Sequence, residues 1–490
     1  MITMKVNNEP LESVLGSGVF DINEIKGRGP SKREATLLEV PGRHGAYLRR
    51  IKTPPRELEV SFTLRATSLA DLRTKVDKLN ELVTTEDVVP IEFSDEDKTY
   101  YGILSDTSSW DEIRTFGQGT FKFTCPDPFK YASEQIVQVD NTSDSATLLV
   151  EGNEATAPRF EATAHHAITH VDFVRHDGEY MRIGQPASAS DTVFDRETLS
   201  MHDAMNALTG WTDATYVDNG HIAGQMSATG GAFVASAFGE PVKPIGWQGP
   251  SVKRSIGEAL DQFVVDVMVE NINTVSGTHV GQIEVYLLDA DNNTVAKLGV
   301  GDTERTISRN RVKMQLGNVG KDRVDYGRYA DTPSDWNDFD GILRLTRSRT
   351  PSGIYEYKPY FAMVAKDGTH YTRSGQWIYY DYAHKFDAPI TQIQVAIRCW
   401  PDIRPTTMRV KDIKAFRINE RPDGVPVIMN PGDRLVIDHA TEDILINGES
   451  RKDLKDFGAT FFTLEPGYNS IHQYPTEALV TDIHWRNKYK

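Results

Sequence analysis

The sequence predicts a mainly β protein (α+β class), with one helix packed on strands near its start and a long strand-rich section interrupting a smaller β domain. Three observations predict this. Short apolar runs recur along the 490-residue chain, one segment has clear helical periodicity, and clusters of Gly, Pro, Asn and Asp separate the runs. At roughly 100–200 residues per domain, this length indicates about three domains.

The first section, residues 1–135, combines an alternating strand with an amphipathic helix. The run Glu57–Arg65 places its apolar side chains on one face, which predicts a half-buried strand. Apolar residues then recur at helical spacing: Leu69, Leu72, Val76, Leu79 and Leu82. Ser68 is the expected N-cap, with Asp71 three residues on, and the helix is expected to end near Thr84. Further strands are predicted at Val88–Phe93, Thr99–Leu104 and Ile113–Cys125. The section is therefore predicted to form a small β-barrel or sheet with one helix packed on it.

A long insertion is predicted at residues 198–419. It contains eight strand-like runs and no long helical pattern, which favours a sandwich or jelly roll. It also holds five of the seven tryptophans: Trp211, Trp247, Trp336, Trp377 and Trp400. The flanking pieces, 136–197 and 420–490, are each too small to stand alone as a β domain. We therefore expect them to form one domain that the insertion splits.

The short strands of this split domain have their own signals. Ala146–Val150 and Arg159–Ala164 are predicted strands of its first part. In its second part, Leu435–Asp438 and Ile444–Ile446 are expected to pair as a hairpin before the turn residues Asn447 and Gly448. A further strand is predicted at Phe461–Leu464.

Charge and composition exclude several classes of function. The chain has 54 Lys and Arg against 70 Asp and Glu, a net charge of −16, so we expect no nucleic-acid partner and no membrane association. Its two cysteines, Cys125 and Cys399, are far apart in apolar runs and are expected to be core residues. The first ten residues lack the pattern of a signal peptide. Synthesis and folding in a cytoplasm are therefore expected.

Aromatic and acidic residues mix at two places in the insertion. The stretch 324–341 contains Tyr329, Trp336 and Asp338, and a second stretch contains Trp377 and Tyr379. Aromatic faces stack on the apolar faces of sugar rings, and nearby carboxylates bind hydroxyls. These five residues are the carbohydrate-binding candidates. The alternative is that the aromatics pack against their own sandwich.

No catalytic motif is present, so no catalytic residue, no resident metal and no cofactor is predicted. Asp289, Asp291 and Asn293 resemble the start of a calcium loop, but the positions that need Gly and Glu hold other residues. A hairpin turn is the favoured interpretation, and calcium in the inserted module is the alternative. Asp335, Asp338 and Asp340 are the carboxylates from which a glycosidase pair could come, and Asp335 and Asp338 are the two to replace in a test. The favoured interpretation is that these loop aspartates are solvated.

Several strings in a fixed order resemble a known family. They are VPGRHG at 40–45, FTCPDPFKY at 123–131, NPGD at 430–433 and FFTLEPGYNSI at 461–471. Together they are similar to the siphophage distal tail (Dit) family, over about 1–188 and 420–490. Longer members carry a carbohydrate-binding module, and LTGW at 208–211 with GWQGP at 246–250 looks like such a module.

The resemblance implies a fold and a set of partners. It implies a ring-forming N-terminal domain (β-barrel or split-barrel-like), usually in a hexamer, and a C-terminal galectin-like β-sandwich interrupted by a jelly-roll β-sandwich. The implied partners are copies of the same chain, the tail tube protein, a tail-associated lysin or fibre protein, and host cell-wall polysaccharide. The expected role is a non-enzymatic structural hub at the virion tail tip. The alternatives are a wall-degrading glycosidase and an adhesin for a host surface protein.

Overall fold

The computed structural model describes residues 2–16, 18–42, 44–113, 115–140, 142–318, 322–329, 335–374, 377–421 and 423–490. As predicted, the chain is mainly β. These ranges contain 39 strands, two α-helices and one short 3-10 helix. No helix within them is long and apolar enough to cross a membrane.

The first section consists of strands around a small core, with two helices. Its elements are β1 Met4–Val6, β2 Glu9–Pro10, α1 Leu11–Leu15, β3 Phe20–Lys26, β4 Glu34–Glu39, β5 Ala46–Lys52, β6 Arg56–Arg65, α2 Leu69–Val83, β7 Val89–Phe93, β8 Thr99–Ile113, β9 Phe116–Cys125 and β10 Lys130–Gln138. Strand β6 lies between β3 and β9. Its alternating apolar residues are buried, as predicted: Leu58, Val60, Phe62 and Leu64.

Helix α2 has the predicted start and end. The Ser68 hydroxyl accepts a hydrogen bond from the backbone N–H of Asp71 at 3.1 Å, and Thr84 is the C-cap. Leu72 and Leu79 are buried. Leu69, the first residue of the helix, is 62% exposed. The short helix α1 was not predicted.

Strands β4 and β5 form a two-stranded sheet of their own. They pair antiparallel from Glu34↔Lys52 to Glu39↔Ala46, and every described residue of both strands is exposed. This projecting hairpin, residues 34–52, was not predicted, because neither of its faces has the apolar alternation of a strand packed on its own core.

The split domain begins with four strands: β11 Ser145–Val150, β12 Arg159–Ala164, β13 His170–Arg175 and β14 Tyr180–Gly184. The insertion then follows as β15 Thr192–Phe194, β16 Glu197–Asp203, β17 Thr212–Asp213, β18 Gly220–Ile222, β19 Gln225–Ala228, β20 Phe233–Ala237, β21 Trp247–Gly249, β22 Ser251–Leu260, β23 Phe263–Ile272, β24 Gly281–Leu288, β25 Thr294–Asp302, β26 Asn310–Leu316, β27 Val324–Tyr329, β28 Phe339–Arg349, β29 Tyr355–Val364, β30 His370–Tyr371, β31 Tyr379–Tyr380, β32 Ile390–Arg398 and β33 Thr407–Ile418.

Two sheets of the insertion enclose one large apolar core. A nine-stranded sheet follows the path β19-β20-β33-β23-β28-β29-β30, with β16 beside β33 and β31 beside β29. A seven-stranded sheet has the order β17-β22-β32-β24-β25-β26-β27. Side chains from both sheets, such as Val265 and Val285, are buried in the same cluster. This is a β-sandwich.

The last section returns to the split domain. It contains β34 Gly424–Pro426, β35 Arg434–Asp438, β36 Asp443–Ile446, β37 Glu449–Ser450, a 3-10 helix Lys452–Leu454, β38 Gly467–Tyr474 and β39 Leu479–Tyr489. The predicted β35–β36 hairpin is present. The prediction of a strand at Phe461–Leu464 is wrong, since only one isolated bridge, Thr156↔Leu464, forms there.

Strands from both sides of the insertion interleave. Strand β12 lies between β35 and β39, and β38 lies between β11 and β13. Their side chains share one core, which includes Phe160 and Ile483. The segments that enter and leave the insertion run parallel as β15 and β34. Strand β39 also pairs with β10 of the first section, so the chain's last strand joins the two domains.

Candidate functional site

The seven-stranded sheet of the insertion has one apolar face and one polar face. Along β24, Ile283 and Val285 are buried in the core, whereas Gln282 and Glu284 lie on the opposite face because successive strand residues alternate. Neighbouring strands contribute further residues to that face, and together they line a cavity of about 570 Å³. We call this cavity the polar groove. Its main residues are Trp247, Gln282, Glu284, Lys297, Lys313 and Arg398.

Glu284 is the electrostatic centre of the polar groove. Its side chain is 1% exposed and lies 2.8 Å from Lys313 Nζ and 3.2 Å from Lys297 Nζ. It also forms an ion pair with Arg398. Burial opposes ionisation of this carboxyl, but the three cations outweigh burial and hold its pKa well below the usual range. Glu284 is therefore a carboxylate that fixes the positions of three cations.

A glycine permits this arrangement. Gly299 of β25 pairs with Glu284 on one side and with Lys313 on the other. A Cβ atom at Gly299 would lie 2.9 Å from Lys313 Cε, which is closer than real side chains approach. The missing side chain thus lets Lys313 extend across β25 to the carboxylate.

The segment around Asp218 covers part of the same sheet face. Asp218 is fully buried, and its carboxylate accepts hydrogen bonds of 2.9 Å from both Lys297 and Gln315. Its backbone carbonyl accepts from Arg398 at 2.7 Å. These contacts immobilise the floor side chains, so the groove is preorganised rather than assembled on binding.

Aromatic rings lie at one end of the polar groove. Trp247, which lines the cavity, packs edge-on against Trp400 with ring centroids 5.9 Å apart. The Arg305 guanidinium lies 5.0 Å above the Trp400 ring. Both indole rings are only partly buried. A partly exposed ring beside hydrogen-bond donors is a typical component of saccharide sites.

The structure places two predicted binding residues elsewhere. Trp336 is 4% exposed and belongs to the core between the two sheets, so its faces are covered by the sandwich. The Asp338 carboxylate accepts hydrogen bonds from the backbone N–H groups of Asn273 and Thr274, at 2.9 and 3.0 Å. These two residues stabilise a turn and the core.

Two further predicted binding residues, Trp377 and Tyr379, pack against the sandwich core and do not line the groove. Trp377 stacks on Tyr326 of the edge strand β27 at 4.7 Å, and on Tyr379 at 6.3 Å. All three rings pack partly buried against the core cluster. Tyr329 ends β27 in register with Arg311, and its side chain lies outside the described part of the chain.

The three residues that resemble the start of a calcium loop form a hairpin turn, which was the favoured interpretation. The Asp289 carboxylate accepts from the backbone N–H groups of Asp291 and Asn293 at 2.9 and 2.8 Å, and the turn joins β24 to β25. Nowhere in the described ranges do three His, Cys, Asp or Glu side chains cluster as a metal site would require.

The polar groove combines hydrogen-bond donors with an aromatic surface. Its floor offers amine, guanidinium and amide donors beside an indole ring. Glu284 cannot act as a general acid, because three cations keep it ionised. Asp335, the other half of the suggested glycosidase pair, is exposed, and Asp338 is engaged with backbone N–H groups. The arrangement can therefore orient a polar ligand, and sequence analysis missed it because its main residues come from five separate strands.

Two family models match the ends of the chain. Residues 13–125 match the phage tail protein RIFT-related domain, and residues 397–489 match the C-terminal domain of the siphovirus-type tail component. The distal tail protein of Bacillus phage SPP1 is 30% identical over 200 residues, which are 39% of this chain and 78% of that protein.

Solved structures also resemble parts of the chain. The crystal structure of SPP1 Dit is 26% identical, with a TM-score of 0.34, over 38% of this chain and 75% of that one. The CBM2 module of the evolved Dit from Lactobacillus casei BL23 phage J-1 is 16% identical, with a TM-score of 0.36, over 46% of this chain and 98% of the module.

Proposed function

This chain belongs to the siphophage distal tail protein family, and on that premise we propose that its insertion binds host cell-wall saccharide through the polar groove. A distal tail protein is a structural component of the virion tail. The observation that carries the proposal is the groove itself: a cavity of about 570 Å³ with fixed donors and a partly exposed indole ring at one end.

The residue types of the groove suit a saccharide. Sugar hydroxyls need hydrogen-bond partners on several sides, and Gln282 and Lys313 supply them from two strands. The apolar face of a sugar ring needs a flat apolar surface, which Trp247 supplies. Because Glu284 and Asp218 already hold the cations in place, little side-chain entropy is lost on binding.

We further propose that the first sections of about six copies close into a ring. The projecting hairpin supports this, because it exposes large apolar side chains to solvent, among them Leu37 at 57% and Leu48 at 58%. An isolated two-stranded hairpin is marginally stable in water, and apolar groups displayed together mark interaction surfaces. A second copy of the chain is the partner that a closed ring supplies to every hairpin.

A ring would also strengthen binding. One open groove binds a saccharide weakly, but six grooves on a rigid ring bind a dense glycan surface with an avidity higher by roughly 10²–10⁴. The ring would connect the tail tube protein on one side with a tail-associated lysin or fibre protein on the other. The insertion contacts the split domain at β15 and β34, through the Arg344–Glu449 ion pair and through a backbone hydrogen bond from His370 to Gly448. None of these residues lines the groove.

Retention on purified walls of the host bacterium tests the saccharide proposal. We expect the full-length protein to be retained and Trp247→Ala to lower its affinity by more than roughly tenfold, as truncation of a central aromatic residue does. The matched control is Tyr382→Ala, which removes an aromatic side chain that is 71% exposed and does not line the groove. Equal retention of both variants would contradict the assignment of the groove.

Adsorption that is lost after protease treatment of cells would favour a surface protein as the receptor.

A further inference from the structure

The polar groove has a charge opposite to that of the whole molecule. Five basic side chains and two carboxylates of the described chain line it: Lys297, Arg311, Lys313, Arg323 and Arg398, with Glu284 and Asp325. The chain as a whole has a net charge of −16. A recessed cavity with an excess of one sign of charge concentrates ligands of the opposite sign.

The excess persists in the buried part of the groove. Glu284 and Asp218 are the carboxylates that contact Lys297, Lys313 and Arg398 there. Two anions therefore face three cations. The Arg398 side chain is 1% exposed, and its Nε has no hydrogen-bond partner within the described structure. A buried cationic group with incomplete compensation is unfavourable, and an anion in the groove would relieve it.

Lys313 is the cation positioned to meet a ligand. Its side chain is 23% exposed, compared with 4% for Lys297 and 1% for Arg398. Gln282 accepts a hydrogen bond from Lys313 Nζ at 3.1 Å and lines the same cavity. A lysine ammonium has three donors, of which Glu284 and Gln282 occupy two. One donor is therefore left for a ligand.

We propose that the saccharide bound in the polar groove carries a negatively charged group, a phosphate or a carboxylate, which pairs with Lys313 above the Arg398 guanidinium. This inference rests on the proposed function and narrows its ligand class. A neutral glycan would leave the excess positive charge of the groove uncompensated. An anionic glycan supplies the missing charge while its sugar ring stacks on Trp247.

Calorimetric titration of the full-length protein with three probes tests this inference. The probes are poly(glycerol phosphate), oligogalacturonate and a neutral laminarin oligosaccharide. We expect at least one anionic probe to bind about tenfold or more tightly than the neutral one, and its affinity to fall as salt is raised. Comparison of the phosphate and carboxylate probes identifies which anion the groove accepts.

Variants at Lys313 make the test specific. Lys313→Gln is expected to weaken the anionic probe by about tenfold, which corresponds to the loss of one charge-assisted hydrogen bond. Lys313→Arg keeps the charge and should retain most of the affinity. Lys366→Gln, at an exposed lysine that does not line the groove, is the control and should bind as the parent protein does.

The outcomes separate the two claims. Tight binding of the neutral probe, insensitive to salt and unchanged in Lys313→Gln, would overturn the anionic class and leave the saccharide function intact. If none of the three probes binds and the protein is not retained on host walls, the proposed function itself is overturned.

Discussion

Arg344 of the insertion donates two hydrogen bonds, of 2.8 and 2.7 Å, to the carboxylate of Glu449 in the last section of the chain. The same guanidinium binds Asp266 on the adjacent strand β23, with bonds of 2.5 and 2.9 Å. Burial opposes the charged form of Arg344, but Asp266 and Glu449 outweigh burial and raise its pKa. This bridge fixes the orientation of the inserted sandwich on the split domain, beyond its covalent connections.

The first prediction concerns this bridge. Arg344→Met removes a cation that is 22% exposed and leaves two carboxylates without their shared partner, so we expect unfolding to require about 3 kcal/mol less free energy. Differential scanning calorimetry should resolve the insertion and the split domain as separate transitions. The milder variant Glu449→Gln keeps the ion pair between Arg344 and Asp266, so the free energy of unfolding should fall by less. A single transition with an unchanged midpoint in Arg344→Met would contradict the bridge.

The second prediction concerns Glu284 in the polar groove. Glu284→Gln leaves Arg398, Lys297 and Lys313 crowded around a neutral amide, so the free energy of unfolding should fall by about 3–5 kcal/mol. Chemical denaturation measures this loss. Adding Lys297→Met to the variant removes one of the crowded cations and should recover part of the stability. The control is Glu240→Gln at an exposed position of the insertion, for which no change is expected.

The third prediction is a pH dependence centred on His439. This residue is 6% exposed, the backbone N–H of Phe462 donates to its Nδ1 at 2.8 Å, and three phenylalanine rings surround it. Burial lowers its pKa from 6.5 to about 4. The unfolded chain therefore binds a proton at a higher pH than the folded chain does.

The sign follows from linkage. The stability contributed by neutral His439 is complete above pH 6.5 and is lost as the pH falls towards 4, by about 3 kcal/mol in total. Urea unfolding at several pH values should show this slope, and His439→Gln, which keeps an acceptor for Phe462, should show a smaller one. Burial also lowers the pKa values of His170 and His370. The parent protein and His439→Gln share these two shifts, so the difference between their slopes reports on His439. Equal slopes would contradict the assignment.

Residue patterns predicted the packed parts of the fold better than the projecting and ligand-facing parts. Leu58 and Phe62 alternate with polar residues because one face of β6 covers a core, and Ser68 caps α2 through a contact three residues away. Such local relationships can be read along the chain. The hairpin of β4 and β5 has no core face in its own chain, so it carries no such pattern.

The polar groove was not predicted from the sequence, for a different reason. Gln282 and Glu284 alternate with apolar residues, which predicts a strand but not what the polar face does. Lys313 and Arg398 lie on other strands, 29 and 114 residues from Glu284 in sequence. One sequence does not reveal that these strands meet. Trp336 misled the prediction because its acidic neighbours suggested an exposed loop. Its ring in fact fills the core, and Asp338 beside it hydrogen-bonds to the backbone.

The fourth prediction concerns the projecting hairpin. Replacing Leu37 and Leu48, which pair across β4 and β5, with serine removes apolar surface that the proposed ring would bury. We expect the double variant to stay folded but to dissociate into smaller species at concentrations where the parent protein is assembled. Circular dichroism checks that the fold is retained. The control, Val193→Ser, alters an apolar residue that is 48% exposed on β15 and should leave assembly unchanged.

The mass of the purified full-length protein in solution tests the central claim most directly, because a hub that presents several grooves must first assemble. Native mass spectrometry or analytical ultracentrifugation should give a closed species of about six times 54.9 kDa, and the Leu37 and Leu48 double variant should lower that mass. A parent protein that remains at 54.9 kDa at every concentration, with the same mass as the double variant, would contradict the account.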